Sequence, residues 1–178
     1  CFRGDCLSRD ELKRLILERG VVTGKPIILS STRMRTFYFN LRPIALDPTG
    51  CRLIAEVMMP MIKRYNADCV GGTEDSSIPI VSAICALGGV PGFYVRKRTQ
   101  KYGLRERIEG NLGKKPVLVD DVATSGESLL NVAKAVREAG CEVEHAVIIV
   151  DLLEGAKERL ASHGIKLESV FDRDDFKL

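Results

Sequence analysis

Long hydrophobic runs are missing from this 178-residue chain. Segments such as Ala146-Val147-Ile148-Ile149-Val150 fall far short of the roughly 20 apolar residues of a membrane-spanning helix, which excludes one. Cysteine is scarce: six residues, scattered, are too few for a disulfide scaffold. Cys51, Cys69, Cys85 and Cys141 sit in or beside apolar stretches and read as small buried hydrophobes. Cys1 and Cys6, with no histidine nearby, make a poor zinc motif. Residues 1–10 lack the apolar segment of a signal peptide, so a reducing, cytoplasmic compartment is expected. Internal repeats, low-complexity tracts, linkers and the Gly-Lys-Ser/Thr of a nucleoside-triphosphate loop are absent too. Neither sign of charge is in excess: 27 basic against 24 acidic side chains give +3, a weak field for nucleic acid. With 45% hydrophobic and 29% charged residues the chain is not a disordered tail. A chain of this length buries roughly 70% of its unfolded surface without staples. These exclusions leave one globular domain.

What is present is an alternation of helix and strand. Ser8 with Glu11 reads as a capping box before Leu12, Leu15 and Ile16, in a helix ended by Arg19-Gly20. Extended stretches at 26–31 and 36–41 suggest a hairpin with an irregular turn. Asp47-Pro48-Thr49-Gly50 is turn chemistry, and Pro48 suits the first turn of a helix reaching about Tyr65, which Pro60 should kink or interrupt. Beyond it, strands are expected near 67–71, 92–95, 116–119 and 143–150, the last being the longest, with helices at 78–87, 127–139 and 155–162. Near-continuous apolar strands separated by helices argue an α/β fold, a parallel sheet covered on both faces.

The segment from Val117 to Ser128 carries the chemistry. A buried strand ends in Asp120-Asp121, a small-residue loop follows, and a helix begins. Ligands of open α/β sheets bind beyond the carboxyl ends of strands. Free N–H groups at a helix start favour an anion, and Thr124, Ser125 and Gly126 let backbone and hydroxyls close around a phosphate, with Ala123 small enough to leave room. Carboxylates would repel that phosphate, so they must face sugar hydroxyls or a hydrated Mg²⁺. The constellation asks for a phosphorylated sugar; the plain alternative is a strand-ending turn with both acids solvated. A second feature, the basic stretch from Arg96 to Arg107, reads as a solvated loop or as a mobile cationic lid over a polyphosphate.

The first segment resembles the phosphoribosyl pyrophosphate (PRPP) signature of the type I phosphoribosyltransferases. The resemblance implies that Asp120 and Asp121 bind the ribose hydroxyls, and that Ala123, Thr124, Ser125, Gly126, Glu127 and Ser128 bind the 5′-phosphate. Phe37-Tyr38-Phe39-Asn40, Val95-Arg96-Lys97, Tyr102-Gly103 and Ile108-Glu109-Gly110 narrow it to orotate phosphoribosyltransferases, over roughly residues 8–165. It implies that fold: a central, mostly parallel sheet flanked by helices, in one domain over 1–178. Residues to about 45 would form an N-terminal helix and hood strands, and residues from about 46 the core. Gly71-Gly72-Thr73-Glu74 resembles the pyrophosphate loop, Phe37 and Tyr38 would wall the base, and Arg96, Lys97 and Lys101 become lid cations beside a catalytic Asp121. The implied reaction transfers phosphoribose from PRPP to orotate, giving orotidine 5′-monophosphate and pyrophosphate, with Mg²⁺ carried by PRPP. The implied assembly is a homodimer sharing the basic loop.

Three positions depart from the family pattern. Ser31-Thr32-Arg33 replaces Ser-Gly-Lys/Arg, keeping the cation at Arg33. Gln100 replaces the loop lysine, next to Lys101. Asp151-Leu152 replaces an Asp-Arg whose arginine meets the orotate carboxylate. Losing one charge-assisted hydrogen bond costs about 1.5–3 kcal/mol, so a different base and a non-catalytic PRPP sensor remain alternatives; an RNA-binding regulator of similar fold would use the basic residues instead, and the modest net charge argues against it.

Overall fold

The structure, a computed structural model, describes residues 3–28, 34–97 and 107–177, with side chains at 7–23, 37–97 and 107–177. Helix α1 (Arg3–Leu15) starts ahead of the expected cap, and the Ser8 hydroxyl donates instead to Glu56, 2.7 Å away. The helix continues as a π-helical turn, Ile16–Gly20, and stops at the glycine as expected. Strands β1 (Val21–Ile28) and β2 (Met34–Phe39) form an antiparallel pair with Val21 opposite Phe39 and a register break between Thr23 and Ile27. Both begin earlier than expected: β-branched Val21-Val22-Thr23 enter β1 directly from the helical turn, and Met34 and Arg35 of β2 pair with Ile28 and Ile27. Of the expected irregular turn, Thr32-Arg33-Met34-Arg35, the second half belongs to β2, and Thr32 and Arg33 lie outside the described residues.

Helix α2 (Arg42–Ala45) is one turn long. Asp47 caps α3 (Pro48–Lys63), accepting from the N–H groups of Thr49 and Gly50 at 3.0 and 3.1 Å, with Pro48 in the first turn. Pro60 does not interrupt α3. Its missing N–H costs one bond, but buried Met58, Met59 and Ile62 hold the turns on either side in the core.

Six strands make the central sheet, in the order β5-β4-β3-β6-β7-β8. They are β3 (Cys69–Thr73), β4 (Gly92–Val95), β5 (Ile108–Gly110), β6 (Pro116–Ala123), β7 (His145–Asp151) and β8 (Lys166–Asp172), joined by α4 (Ile78–Gly88), α5 (Glu127–Glu138) and α6 (Ala156–Ala161). All neighbours are parallel except β4 and β5. The helices α3, α4 and α5 and the middle strands lie close to expectation. Strand β6, however, runs past the acids to Ala123 and, at eight residues, exceeds β7 at seven. Edge strands β5 and β8 and the 3₁₀ turn Arg173–Phe176 were not expected as elements.

Central strands bury both faces. Val117, Val119, Val147 and Ile149 pack with α1, α3 and α4, while Leu118, Ala146 and Ile148 meet Leu129, Val132 and Val136 of α5 and Leu160 of α6. Phe39 of β2 meets Phe176, and Phe176 meets Phe171 of β8, at 5.0 and 5.4 Å between ring centres. This aromatic chain ties the β1–β2 pair to the far edge of the sheet. Chain connections run outward in opposite directions from β3 and β6, which are neighbours, so a crevice opens at their carboxyl ends.

Candidate active site

That crevice holds a cavity of about 630 Å³. Thr73 of β3 and Asp120 of β6 line it, and residues 123–128 wrap one side. Arg96, Lys97 and Arg107 stand on another, and Asn131 reaches in from α5. Gly126 sits at the cap of α5 with φ +76°, a left-handed conformation that glycine adopts without steric cost. No side chain caps α5, so its first N–H groups are free to receive an anion where Thr124 and Ser125 add hydroxyls.

The acids are not solvated. Asp120 is only 4% exposed. Its Oδ1 accepts from the hydroxyls of Ser76 and Ser77 and from the Asp121 N–H, at 2.9, 3.0 and 3.0 Å. Burial first, and then the charge of Asp121, push its carboxyl up to about 7, against the pull of those three donors. Burial also raises Asp121, whose Oδ1 accepts from the Val122 N–H at 2.8 Å and whose charge is favoured by Arg42.

This buried acid fixes how stability varies with pH. In the unfolded chain Asp120 ionises near 3.8, in the folded chain near 7. Below pH 4 both states hold the proton; between 4 and 7 the unfolded chain releases it first, so folding stability falls as pH rises, and levels off above 7. Asp120→Asn does not titrate, and its amide oxygen can accept the same three donors. The variant is expected to be more stable than the parent at pH 8, by at most about 4 kcal/mol, with the difference shrinking at pH 5. Thermal unfolding at both pH values checks this; a gap independent of pH contradicts it.

Gly71 and Gly72 lie in β3, and Glu74 to Ser77 form the turn into α4. A Cβ on Gly71 would sit 2.3–2.4 Å from the Phe93 ring, so this glycine makes room for a buried aromatic. Asp75 in the turn has φ +73° and pairs through its carboxylate with Lys97 at 2.7 Å, with both side chains well exposed. The Glu74 carboxylate accepts the Lys97 N–H at 3.0 Å and so holds the root of the basic segment. Arg96 is largely buried and donates through Nε and Nη2 to one oxygen of Glu109, at 3.1 and 3.0 Å. Of the expected lid cations, Arg96 is thus fixed in place, Lys97 holds an exchangeable surface pair, and Lys101 lies outside the described residues.

Phe37 and Tyr38 are half-buried and do not line the cavity; Phe37 packs edge-on against Phe39, 6.0 Å between centres. Asp121 and Glu74 stand beside the cavity without lining it. Leu152 is buried in the core, and its N–H donates to the Ala123 carbonyl, joining the ends of β6 and β7. Three residues escaped the sequence reading of the site, Ser76, Ser77 and Asn131, whereas Arg42 closes the run of cations from Arg33 that the sequence sets beside the acids. Arg42 is exposed at the start of α2, and its positive charge acts on both Asp75 and Asp121.

A Phosphoribosyl transferase domain model matches residues 53–172. The orotate phosphoribosyltransferase of Methanopyrus kandleri is 36% identical over 172 residues, covering 96% of this chain and 93% of its own. The chain belongs to the orotate phosphoribosyltransferase family. An enzyme of that name from Rhodopseudomonas palustris is also 36% identical, over 95% of this chain and 96% of its own. Among solved structures, orotate phosphoribosyltransferase of Mycobacterium tuberculosis H37Rv superposes with a TM-score of 0.86 at 31% identity, covering 96% of this chain and 99% of the other. The same enzyme solved in complex with PRPP gives 0.82 at 30%, with the same coverage. An adenine phosphoribosyltransferase from Leishmania tarentolae, 20% identical with a TM-score of 0.65, shares the fold.

Proposed function

We propose that this chain is an orotate phosphoribosyltransferase, a pentosyltransferase that moves phosphoribose from PRPP to a ring nitrogen of orotate and releases pyrophosphate. The observation that carries the reading is one cavity in which an uncapped helix start and a buried carboxylate stand side by side, in a chain of this family. Residues 123–128 hold the 5′-phosphate, and Asp120 and Asp121 receive the ribose hydroxyls. Thr73 meets the pyrophosphate, with Glu74 holding the loop. The nitrogen attacks C1 as the bond to pyrophosphate breaks and its electron pair leaves with that group. Positive charge grows on the ribose, where Asp121 is the nearby anion, and Lys97 and Lys101 neutralise the leaving group. Arg96 acts by fixing the root of the segment that bears them.

Mg²⁺ fits as an ion carried by the pyrophosphate of PRPP, with the Asp120–Asp121 carboxylates able to accept from its waters; when bound, it would supply charge neutralisation for the departing group. With Leu152 apolar, the orotate carboxylate needs a cation from the hood. Arg42 is placed to act on Asp121 from that side, and Arg33 remains the cation expected from the sequence. The protein is cytoplasmic in this proposal, and no helix among the described residues is long and apolar enough to cross a membrane. It acts as a homodimer whose basic segments reach across.

The test is pyrophosphate release from PRPP and Mg²⁺ with a panel of orotate, uracil and purines. Turnover with orotate alone is expected. Turnover only with another base would keep the reaction and move the substrate. PRPP binding without turnover on any base would make the protein a sensor and overturn the enzyme reading.

A further inference from the structure

Ser77 occupies the cap position of α4, where a serine hydroxyl ordinarily accepts from the helix's own N–H groups. Here it makes no such bond. It accepts from the Thr73 N–H at 3.1 Å and donates to Asp120 Oδ1 at 3.0 Å, although Asp120 is 43 residues away in the chain. Ser77 has no solvent exposure. Its surroundings are tight: a Cβ on Gly72 would lie 2.3 Å from its Cβ and 2.4 Å from its hydroxyl oxygen. Both ends of the link, Thr73 and Asp120, line the same cavity. Ser76 also donates to Oδ1, but Ser77 alone bonds both the loop backbone and the acid. With three donors on Oδ1, Asp120 is left with Oδ2 to offer a ligand.

We propose that Ser77 is a positioning residue, resting on the reading above, which ties the pyrophosphate loop to the ribose acid so that both halves of PRPP meet one preset geometry. Cutting the tie loosens both halves together, whereas removing the Ser76 hydroxyl loosens the ribose side alone.

Steady-state kinetics in both directions test this. Ser77→Ala is expected to raise KM about tenfold, the usual effect of losing a bond to a charged group, for PRPP and, in the reverse reaction, for pyrophosphate as well as orotidine 5′-monophosphate. Ser76→Ala is expected to raise KM for orotidine 5′-monophosphate and leave that for pyrophosphate unchanged. By calorimetry, the effect of Ser77→Ala on PRPP binding should largely disappear in an Asp120→Ala background, which has no acceptor for the Ser77 hydroxyl. Should Ser77→Ala fail to fold, Ser77→Cys, with a weak donor of similar shape, is expected to shift the same constants in the same direction by less. Matching behaviour of the Ser76 and Ser77 variants, or an unchanged pyrophosphate KM, overturns the proposal. A parent protein that binds no PRPP would overturn the functional reading instead.

Discussion

Replacing Asp121 by asparagine lowers kcat for pyrophosphate release by about 10²- to 10³-fold, the loss that follows removal of a preorganised group aimed at charge formed in the transition state. Asparagine keeps an oxygen for the Val122 N–H, so the local backbone survives. It removes the negative charge while leaving hydrogen bonding to a ribose hydroxyl possible. PRPP should therefore still bind, within about tenfold, and the damage should fall on kcat. Burial already disfavours the charged form of Asp121, so the variant should melt no lower than the parent. Single-turnover rates with calorimetric PRPP binding measure the split. A kcat within tenfold of the parent would remove Asp121 from the chemistry.

The second large effect is on folding. In Gly72→Ala the new methyl group would stand 2.4 Å from the Val119 carbonyl oxygen as well as against Ser77. One obstacle is the backbone of the neighbouring central strand and the other a fully buried side chain, so neither can swing aside. Relief requires β3 to move away from β6. Overpacking of this kind costs about 3 kcal/mol, which lowers Tm by roughly 6–12 °C in a chain of this size. The same shift separates Thr73 from Asp120, and PRPP binding should go with it. Gly140→Ala is the control: that glycine has φ +85° and nothing within 4 Å of a new Cβ, so only the backbone strain of about 1–2 kcal/mol remains. Equal melting points for the two variants would disprove the crowding argument.

The elements that could be read from the sequence were those whose signal is local. Residues 116–128 place a buried run, two acids and a small-residue turn next to one another, and each part is informative alone. Strand β8 was missed because it is an edge: Lys166, Glu168 and Ser169 interleave with Leu167, Val170 and Phe171, and the run lacks the continuous apolar character of β6 and β7. Pro60 misled because propensity describes an isolated helix, while α3 is held by its packing. Ser8 misled for a similar reason: a hydroxyl with a tertiary partner on α3 does not cap. At the site, residue types were legible and pairings were not. No spacing rule joins Ser77 to Asp120, or Lys97 to Asp75 across 22 residues.

The aromatic chain from Phe39 through Phe176 to Phe171 has a kinetic consequence. Arg9 of α1 follows the same route, donating to the Val170 carbonyl and pairing with Asp175 across 161 and 166 residues. Part of the seat of the β1–β2 pair therefore exists only after the eighth strand has been synthesised. On the ribosome, the β1–β2 hairpin can pair early from local contacts, yet Phe39 and the Phe171-facing side of Arg9 must wait for nearly the whole chain to emerge. Closing such long loops is slow, so the β1–β2 pair would be among the last parts to set, and a nascent chain halted before β8 would carry that pair without its anchor.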